Sequence, residues 1–156
     1  MFTWPQGFET RFFDVREFDH PELMDPNFIK DLDLLRERCG FGIKILDDAR
    51  TESDLRRLYK REIELGLPWP KDSAHLFIHN QLVRAVDFRP LYPTIGDGCD
   101  LPYEGRELIL VSEIIRMYKD RTWINLGLIV ETKHIHVDDC PRIASRRPLL
   151  STGESR

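Results

Sequence analysis

The sequence predicts an α+β fold, in which a small antiparallel sheet and about three helices form one domain. Some segments repeat apolar residues with the 3.6-residue period of a helix, and others alternate apolar and polar residues as half-buried strands do. The chain has 156 residues, of which 41% are hydrophobic and 32% charged, and this suits a single domain with a sizeable core. We expect this domain at residues 1–144, followed by a flexible polar tail at 145–156.

The first helix is expected over residues 25–40. Asp25 can cap its amino end, Pro26 suits the first helical position, and Gly40 can end it in the left-handed conformation. One apolar stripe follows the helical period: Phe28, Leu32, Leu35 and Cys39. These signals together predict both ends of the helix.

A strand and a second helix follow. The alternating segment FGIKILDD, residues 41–48, predicts a strand that emerges at Arg50. Residues 51–66 predict a helix, with Thr51 as its cap and Asp54 in the place of the capping-box glutamate. We therefore expect a strand–helix unit in this part of the chain.

Residues 73–88, SAHLFIHNQLVRAVDF, predict two strands after the proline-broken loop LPWPKD. HLFI and LVRAVDF would pair around a tight connection at residues 79–81. Two histidines and an aspartate stand among the apolar residues of this pair, and that is unusual for a half-buried hairpin.

The rest of the chain completes the sheet. Residues 90–104 are rich in Pro, Gly and Asp and predict a loop at the rim of any site. Residues 105–120 predict the third helix. The segments TWINLGLIVE (122–131) and HIHVDD (134–139) predict the last strands.

Composition disfavours several classes of function. A net charge of −4 provides no basic field for nucleic acid, and no apolar run approaches the roughly 20 residues of a membrane span. The first residues lack the basic region and apolar core of a signal peptide, so we expect synthesis in the cytoplasm. The three cysteines show no CxxC spacing, which favours reduced thiols over a cysteine-rich zinc site.

The last strand is unusual in its polar residues. Alternate side chains of a strand share a face, so His134, His136 and Asp138 would point the same way. Burying two imidazoles beside a carboxylate is costly unless a partner satisfies them, and a metal ion does so. An exposed strand end with solvated histidines is the alternative interpretation.

The predicted hairpin can complete a metal site. Together, two strand-borne histidines and Asp87 would supply three zinc ligands and leave the fourth position open, as catalytic zinc sites do. His75 is the candidate from this hairpin, and His79 is a rival. Because His79 falls in a predicted turn, a solvent-facing role is the ordinary expectation for it.

On these residues the chain resembles the zinc peptidases of family M15, the group of D-Ala-D-Ala carboxypeptidases and phage endolysins. The family signature is S-x-H-x-x-G-x-A-x-D, followed by an H-x-H strand. SAH at 73–75, AVD at 85–87 and HIH at 134–136 match its parts in order. Upstream, FFDVREF and the following helix and strand look like the family's amino-terminal segment, and Arg50 takes the place of the arginine in its Ser-Gly-Tyr-Arg turn. The resemblance spans roughly residues 12–140.

The chain departs from the family pattern in three places. Eleven residues lie between His75 and Asp87, whereas the signature has six, and the signature glycine is missing. Only Arg50 survives from the Ser-Gly-Tyr-Arg turn. We interpret the extra residues as a longer hairpin, FIHNQLV, whose stems still face the metal.

The resemblance implies an α+β fold of the hedgehog/DD-peptidase type and a set of metal ligands. His75, Asp87 and His136 would bind Zn²⁺. Arg50 would hold a substrate carboxylate or stabilise the charge that develops on the carbonyl oxygen, the alternative being a surface arginine at the start of a helix.

The acid/base role has two candidates. The H-x-H branch of the family makes His134 the acid/base or transition-state partner, and we favour this. Glu131 is the reserve, because Glu131 and His134 also fit the E-x-x-H spacing of other relatives, a spacing that would make His134 the metal ligand. Asp138 would orient a ligand histidine, or else form a salt bridge at the strand end.

Three functions are compatible with these residues. We favour a zinc metallopeptidase, of D,D-carboxypeptidase or L,D-endopeptidase type, that acts on the peptidoglycan stem peptide at the cell wall, in the periplasm or from a virion. The second is a non-catalytic zinc-binding or structural phage module of the same fold, suggested by the longer hairpin and the lost glycine. The third, a two-histidine-one-carboxylate iron oxygenase, is disfavoured because such enzymes use a jelly roll of about eight strands.

Overall fold

The computed structural model describes residue 4, residues 8–143 and residues 150–152. The strands are β1 (Ile43–Asp47), β2 (Ala85–Pro90), β3 (Gly127–Val130), β4 (Ile135–Asp138) and β5 (Leu150–Thr152). The helices are α1 (Pro26–Cys39), α2 (Glu52–Leu58), α3 (Lys60–Glu64) and α4 (Tyr103–Lys119), preceded by two short 3-10 helices, Val15–Glu17 and Pro21–Leu23. The α+β class is confirmed, with four helices in place of the three expected.

The strands form one sheet in the order β1-β2-β4-β3-β5. The first four are antiparallel to their neighbours, and β5 is parallel to β3. The register places Asp87 opposite His136 and Lys44 opposite Arg89. Cross-strand partners share a face of the sheet, so these four side chains lie on one face.

Part of the expected tail is described. Of residues 145–156, the structure describes only Leu150–Thr152, which forms β5; the rest of the proposed tail lies outside the described residues. No helix in the described part of the chain combines the length and the apolar character needed to cross a bilayer.

Helix α1 follows its sequence signals closely. The Asp25 side chain accepts a hydrogen bond from the backbone N–H of Asn27 at 2.8 Å, and Gly40 ends the helix with φ of 76°. The apolar stripe is buried at Phe28, Leu32 and Leu35. Local capping and helical periodicity were therefore sufficient to predict this element.

The second predicted helix is two helices. The capping box forms as expected, since Thr51 and Asp54 each accept a hydrogen bond from the other's backbone N–H. The helix breaks at Tyr59, whose φ and ψ are −107° and 25°. The Tyr59 ring stacks on Trp69 at 6.2 Å, and α3 buries no residue that could hold it in line with α2.

The predicted hairpin is only half regular. Residues 85–90 form β2, but residues 75–83 form no strand. Their backbone groups pair with other segments instead: Leu76 bridges to Arg50 and Val83 bridges to Met24, both in parallel. A turn does close at Ile78–Gln81, where the N–H of Gln81 donates to the carbonyl of Ile78 at 3.1 Å.

The two longest helices build the core on one face of the sheet. Helices α1 and α4 pack together, and α4 packs against β2. Val86 and Phe88 of β2 point into this core and are fully buried. Asp87 and Arg89 alternate with them and are only half-buried. We call the side of the sheet that carries Lys44, Asp87, Arg89 and His136 the open face.

An ion cluster around Arg84 ties the helical layer to the sheet. Arg84 contacts Asp25 at 3.0 Å and Asp139 at 2.9 Å, and Asp31 at 3.7 Å. Asp139 also accepts the backbone N–H groups of Ile124 and Asn125. The cap of α1, the start of β2 and the residue after β4 thus meet at one guanidinium.

The core supports a matched pair of leucine substitutions on α4. Leu110 is fully buried and Leu108 is 69% exposed. We expect Leu110→Ala to lower the free energy of unfolding by about 2–5 kcal/mol through the cavity it leaves, and Leu108→Ala to change it by less than about 0.5 kcal/mol. Urea denaturation monitored by circular dichroism measures both, and equal losses would contradict the described burial.

Asp31 gives a pH dependence with a definite sign. Burial raises its pKa to about 6 from 3.8, against the attraction of Arg84 and a hydrogen bond from Trp123. Its contribution to stability is therefore fully present below pH 3.8 and is lost as the pH rises through 6. Asp31→Asn keeps an acceptor for Trp123 but carries no charge. We expect it to be more stable than wild type at pH 7, by on the order of 1 kcal/mol because water still reaches part of the side chain, and to match it near pH 4.

Denaturation of both proteins at pH 4 and pH 7 provides the comparison. A variant that is less stable than wild type at pH 7 would mean that the charge of Asp31 stabilises the Arg84 cluster.

Candidate metal centre

Three side chains bring one ligand atom each to a common point. Nε2 of His75 lies 3.3 Å from Oδ1 of Asp87 and 3.2 Å from Nδ1 of His136, and the last two atoms are 2.9 Å apart. In a tetrahedral site with metal–ligand distances near 2.0–2.1 Å, ligand atoms lie about 3.3 Å from one another. The three atoms therefore have the spacing of one face of a zinc coordination tetrahedron.

Two different backbone arrangements position these ligands. Asp87 and His136 are cross-strand partners on β2 and β4, so the sheet register alone places them side by side. His75 belongs to the irregular segment and is held by Arg50, whose N–H donates to the His75 carbonyl at 2.7 Å and whose carbonyl accepts the N–H of Phe77 at 2.8 Å. The main chain of Arg50 thus carries His75 to the open face.

Hydrogen bonds at the far side of each ring select its tautomer. Nδ1 of His75 lies 2.6 Å from the carbonyl oxygen of Asp48, which can only accept, so Nδ1 carries the hydrogen. Nε2 of His136 lies 2.7 Å from Oδ2 of Asp138 and donates to it in the same way. The opposite nitrogens, Nε2 of His75 and Nδ1 of His136, are left as acceptors that face the common point, as metal-ligating histidines require.

The electrostatics of the site favour a cation at that point. Burial opposes the charge of Asp87, but hydrogen bonds and charge attraction from His136 and His75, which require a proton on the nitrogens that face Asp87, outweigh it and hold the pKa of Asp87 well below its usual range. Burial also opposes protonation of His136, yet hydrogen bonds to Asp138 and Asp87 raise its pKa to about 9. The carboxylates therefore stabilise positive charge between them, which a proton or a metal ion can supply.

The structure separates the two candidate histidines of the predicted hairpin. His75 is 4% exposed and contacts Asp87. His79 is exposed, with φ of 57° in the turn at Ile78–Gln81, and it is not part of the ligand cluster. The rival register with His79 as ligand is not what this fold forms.

The two acid/base candidates lie in contact at the edge of the centre. Nε2 of His134 is 2.7 Å from Oε2 of Glu131 and 3.8 Å from Oδ2 of Asp87. The N–H of Glu131 donates to the His134 carbonyl at 2.9 Å and closes the turn between β3 and β4. Glu131, from the E-x-x-H spacing, and His134, from the H-x-H spacing, therefore form one ionisable pair beside the ligands.

Arg50 lies beside the centre but its side chain is engaged. Its guanidinium forms an ion pair with Asp47 and is 22% exposed. Both residues line a cavity of about 610 Å³ together with His20, Asp54 and Arg57. None of the three ligand residues is among those that line this cavity, so Arg50 stands between the cavity and the segment that carries His75.

Asp48 is a residue of the site that sequence reasoning missed. Its carbonyl accepts the His75 Nδ1–H, and its buried carboxylate accepts the backbone N–H of His20 at 2.9 Å. Burial, together with repulsion from Asp19 and Asp47, raises the pKa of Asp48 to about 6. A main-chain acceptor leaves no signal in the sequence.

Comparison with known proteins returned no relative. No family model, no curated protein and no solved structure matches the chain. The resemblance to the family M15 peptidases therefore stays a prediction from the motifs, and the geometry of the three ligand atoms stands independently of it.

The site predicts how metal binding depends on each histidine. We expect the wild-type chain to bind one equivalent of zinc, and His75→Ala or His136→Ala to weaken the binding at least 100-fold because each removes a ligand. Asp138→Asn should weaken it about 10–100-fold by loosening the orientation of His136. Metal content after dialysis and titration against a chromophoric chelator measure both effects.

His79→Ala is the matched control, since it removes an imidazole from the same segment. It should bind zinc as the wild type does. Equal loss of zinc in His79→Ala and His75→Ala, or a wild-type chain without stoichiometric metal, would exclude the proposed ligand set.

Proposed function

We propose that the chain is a zinc-dependent peptidase that hydrolyses peptide bonds of bacterial cell-wall peptidoglycan. One observation carries the proposal: the three motif segments, far apart in sequence, converge so that ligand atoms 61 residues apart lie 3.2 Å from each other. The order of the motifs provides the link to peptidases, and the open fourth position provides the link to catalysis.

The fold, and not the ligand set, favours zinc over iron. Two imidazole nitrogens and one carboxylate oxygen suit either metal. The five-stranded sheet with helices α1 and α4 on one face differs from the jelly roll of iron oxygenases. Zinc in an open site acidifies water and polarises carbonyl groups.

The pair of His134 and Glu131 is assigned to proton transfer. Nε2 of His134 lies 2.7 Å from Oε2 of Glu131, and the pair lies at the edge of the ligand cluster, 3.8 Å from Asp87. His134 can take up a proton from the attacking water and return one to the leaving amine, while Glu131 orients its ring. General acid–base groups of this kind contribute about 10²–10⁴-fold in rate.

Arg50 is assigned to the substrate. Its guanidinium can bind a carboxylate in a bidentate manner or stabilise charge on the scissile carbonyl oxygen. In the structure this guanidinium is paired with Asp47. A substrate carboxylate would therefore compete with Asp47 for Arg50, and substrate affinity would include the cost of breaking that pair.

A second candidate function is a metal-stabilised module of a phage or virion that does not cleave. The Arg50–Asp47 pair favours it, because the arginine assigned to the substrate already has a partner. The longer segment between His75 and Asp87 also favours it. Such a module would bind zinc as tightly as the enzyme and leave peptidoglycan intact.

Cleavage assays on single-residue variants test the proposal. We expect zinc-loaded wild-type protein to release new amino termini from purified peptidoglycan, and mass spectrometry of the fragments identifies the bond. His134→Ala should keep its zinc and lose about 10²–10⁴-fold in rate, because it removes the proton carrier without removing a ligand. Glu131→Gln should lose less.

His79→Ala again serves as the control and should cleave at the wild-type rate. Stoichiometric zinc without any cleavage of peptidoglycan would favour the non-catalytic module. Full activity in His134→Ala would refute the assigned role of this histidine but leave the metal centre standing.

A further inference from the structure

Two cations face each other across β1 and β2. Lys44 and Arg89 are direct cross-strand partners, and like charges in that position destabilise a sheet. Within the described part of the chain, neither forms an ion pair with a carboxylate. The sheet thus retains an unfavourable pair that no carboxylate of the described residues neutralises by an ion pair.

Arg89 is nevertheless held in place. Its Nη1 donates to the carbonyl of Pro90 at 3.0 Å, and its guanidinium lies 4.3 Å from the centroid of the Tyr92 ring. The Tyr92 ring in turn packs 5.1 Å from that of Tyr103 at the start of α4. These contacts fix the guanidinium without cancelling its charge.

The basic pair and the metal ligands lie on the same open face. Arg89 follows Asp87 by two residues on β2, which places their Cα atoms about 7 Å apart on one side of the strand. The register that pairs Asp87 with His136 also brings Arg89 to the level of His134. Arg89 and its partner Lys44 therefore lie two residues along the sheet from the ligand Asp87.

A cavity of about 300 Å³ opens at the pair. Lys44, Arg89 and Tyr92 line it, and Arg106 and Asp97 close one side. Arg106 is paired with Asp97 at 2.8 Å and donates to two backbone carbonyls, so those two charges offset each other. Lys44 and Arg89 leave the cavity with two uncompensated positive charges in a chain whose net charge is −4.

We propose that Lys44 and Arg89 form a carboxylate-binding subsite that makes acidic peptides the preferred substrate class. This inference rests on the proposed peptidase function, because the pair can select a substrate only if the metal centre cleaves peptides. A spacing of about 7 Å corresponds to two residues of an extended peptide. Because this is a spacing of Cα atoms and the Arg89 guanidinium lies over the Tyr92 ring, the subsite selects peptides with a free carboxylate two or more residues from the scissile bond.

Paired probe peptides test the subsite. The peptides acetyl-Ala-Ala-Glu-Ala-Ala-amide and acetyl-Ala-Ala-Gln-Ala-Ala-amide differ only in one charge. Their affinities for the zinc-loaded chain are measured by NMR titration at low salt, and hydrolysis is followed in the same samples by mass spectrometry. We expect the wild type to bind the Glu peptide roughly fivefold more tightly, as a partly exposed ion pair allows, and the preference to shrink in 0.5 M NaCl.

The variants separate the subsite from the overall charge. In the double variant Lys44→Gln, Arg89→Gln the Glu and Gln peptides should bind equally, whereas Lys30→Gln, which removes a cation from α1, should keep the preference. Because Arg89 also contacts the Pro90 carbonyl and the Tyr92 ring, the unfolding midpoint of the double variant in urea is compared with that of wild type to show that the variant is folded.

The binding and cleavage readouts fail independently. Cleavage without a preference for the Glu peptide, or a preference that survives in the double variant, overturns the subsite while the peptidase function stands. A preference for the Glu peptide that is lost in the double variant supports the subsite even if no peptide is cleaved. In that case the proposed peptidase activity is refuted and the subsite is not.

Discussion

The antiparallel pairing of β2 with β4 is the constraint on which the candidate metal centre depends. It brings Asp87 beside His136, although helix α4 and strand β3 separate the two strands in sequence. A slip of one residue would send Asp87 into the core and Phe88 to the open face. The alternation of buried and half-buried residues in β2 therefore specifies the metal centre and the core at the same time.

The Arg84 cluster secures this pairing from outside the strands. The N–H of Asp139 donates to the carbonyl of Arg84 at 2.9 Å, and the two side chains form an ion pair. The same guanidinium reaches the cap of α1, so the helical layer and the two ligand-bearing strands are fixed relative to each other. The ligand geometry thus depends on contacts made on the opposite side of the sheet from the metal.

Features of the fold with local causes could be predicted from the sequence, and those with nonlocal causes could not. Helix α1 carries its cap, its apolar stripe and its terminal glycine within sixteen residues. The break at Tyr59 coincides with the stacking of its ring on Trp69, and the irregular course of residues 75–83 coincides with hydrogen bonds to Leu23 and Arg50. At the site, His75, Asp87 and His136 could be chosen because residue type and motif order both point to them. The Asp48 carbonyl and the meeting of Lys44 with Arg89 depend on main-chain position and register, which residue types do not encode.

Backbone hydrogen bonds hold both ends of the segment from Phe77 to Leu82. The N–H of Phe77 donates to the carbonyl of Arg50, and the N–H of Val83, directly after the segment, donates to the carbonyl of Leu23. Its tip at His79 and Asn80 adopts left-handed backbone angles and projects into solvent. Of the eleven residues between His75 and Asp87, those from Phe77 to Leu82 therefore do not act as a spacer between the ligands. They form a side branch, and the distance between the ligands is independent of its length. Residues can be gained or lost at this tip without retuning the coordination chemistry, which makes it the natural point at which to graft a targeting segment onto the domain.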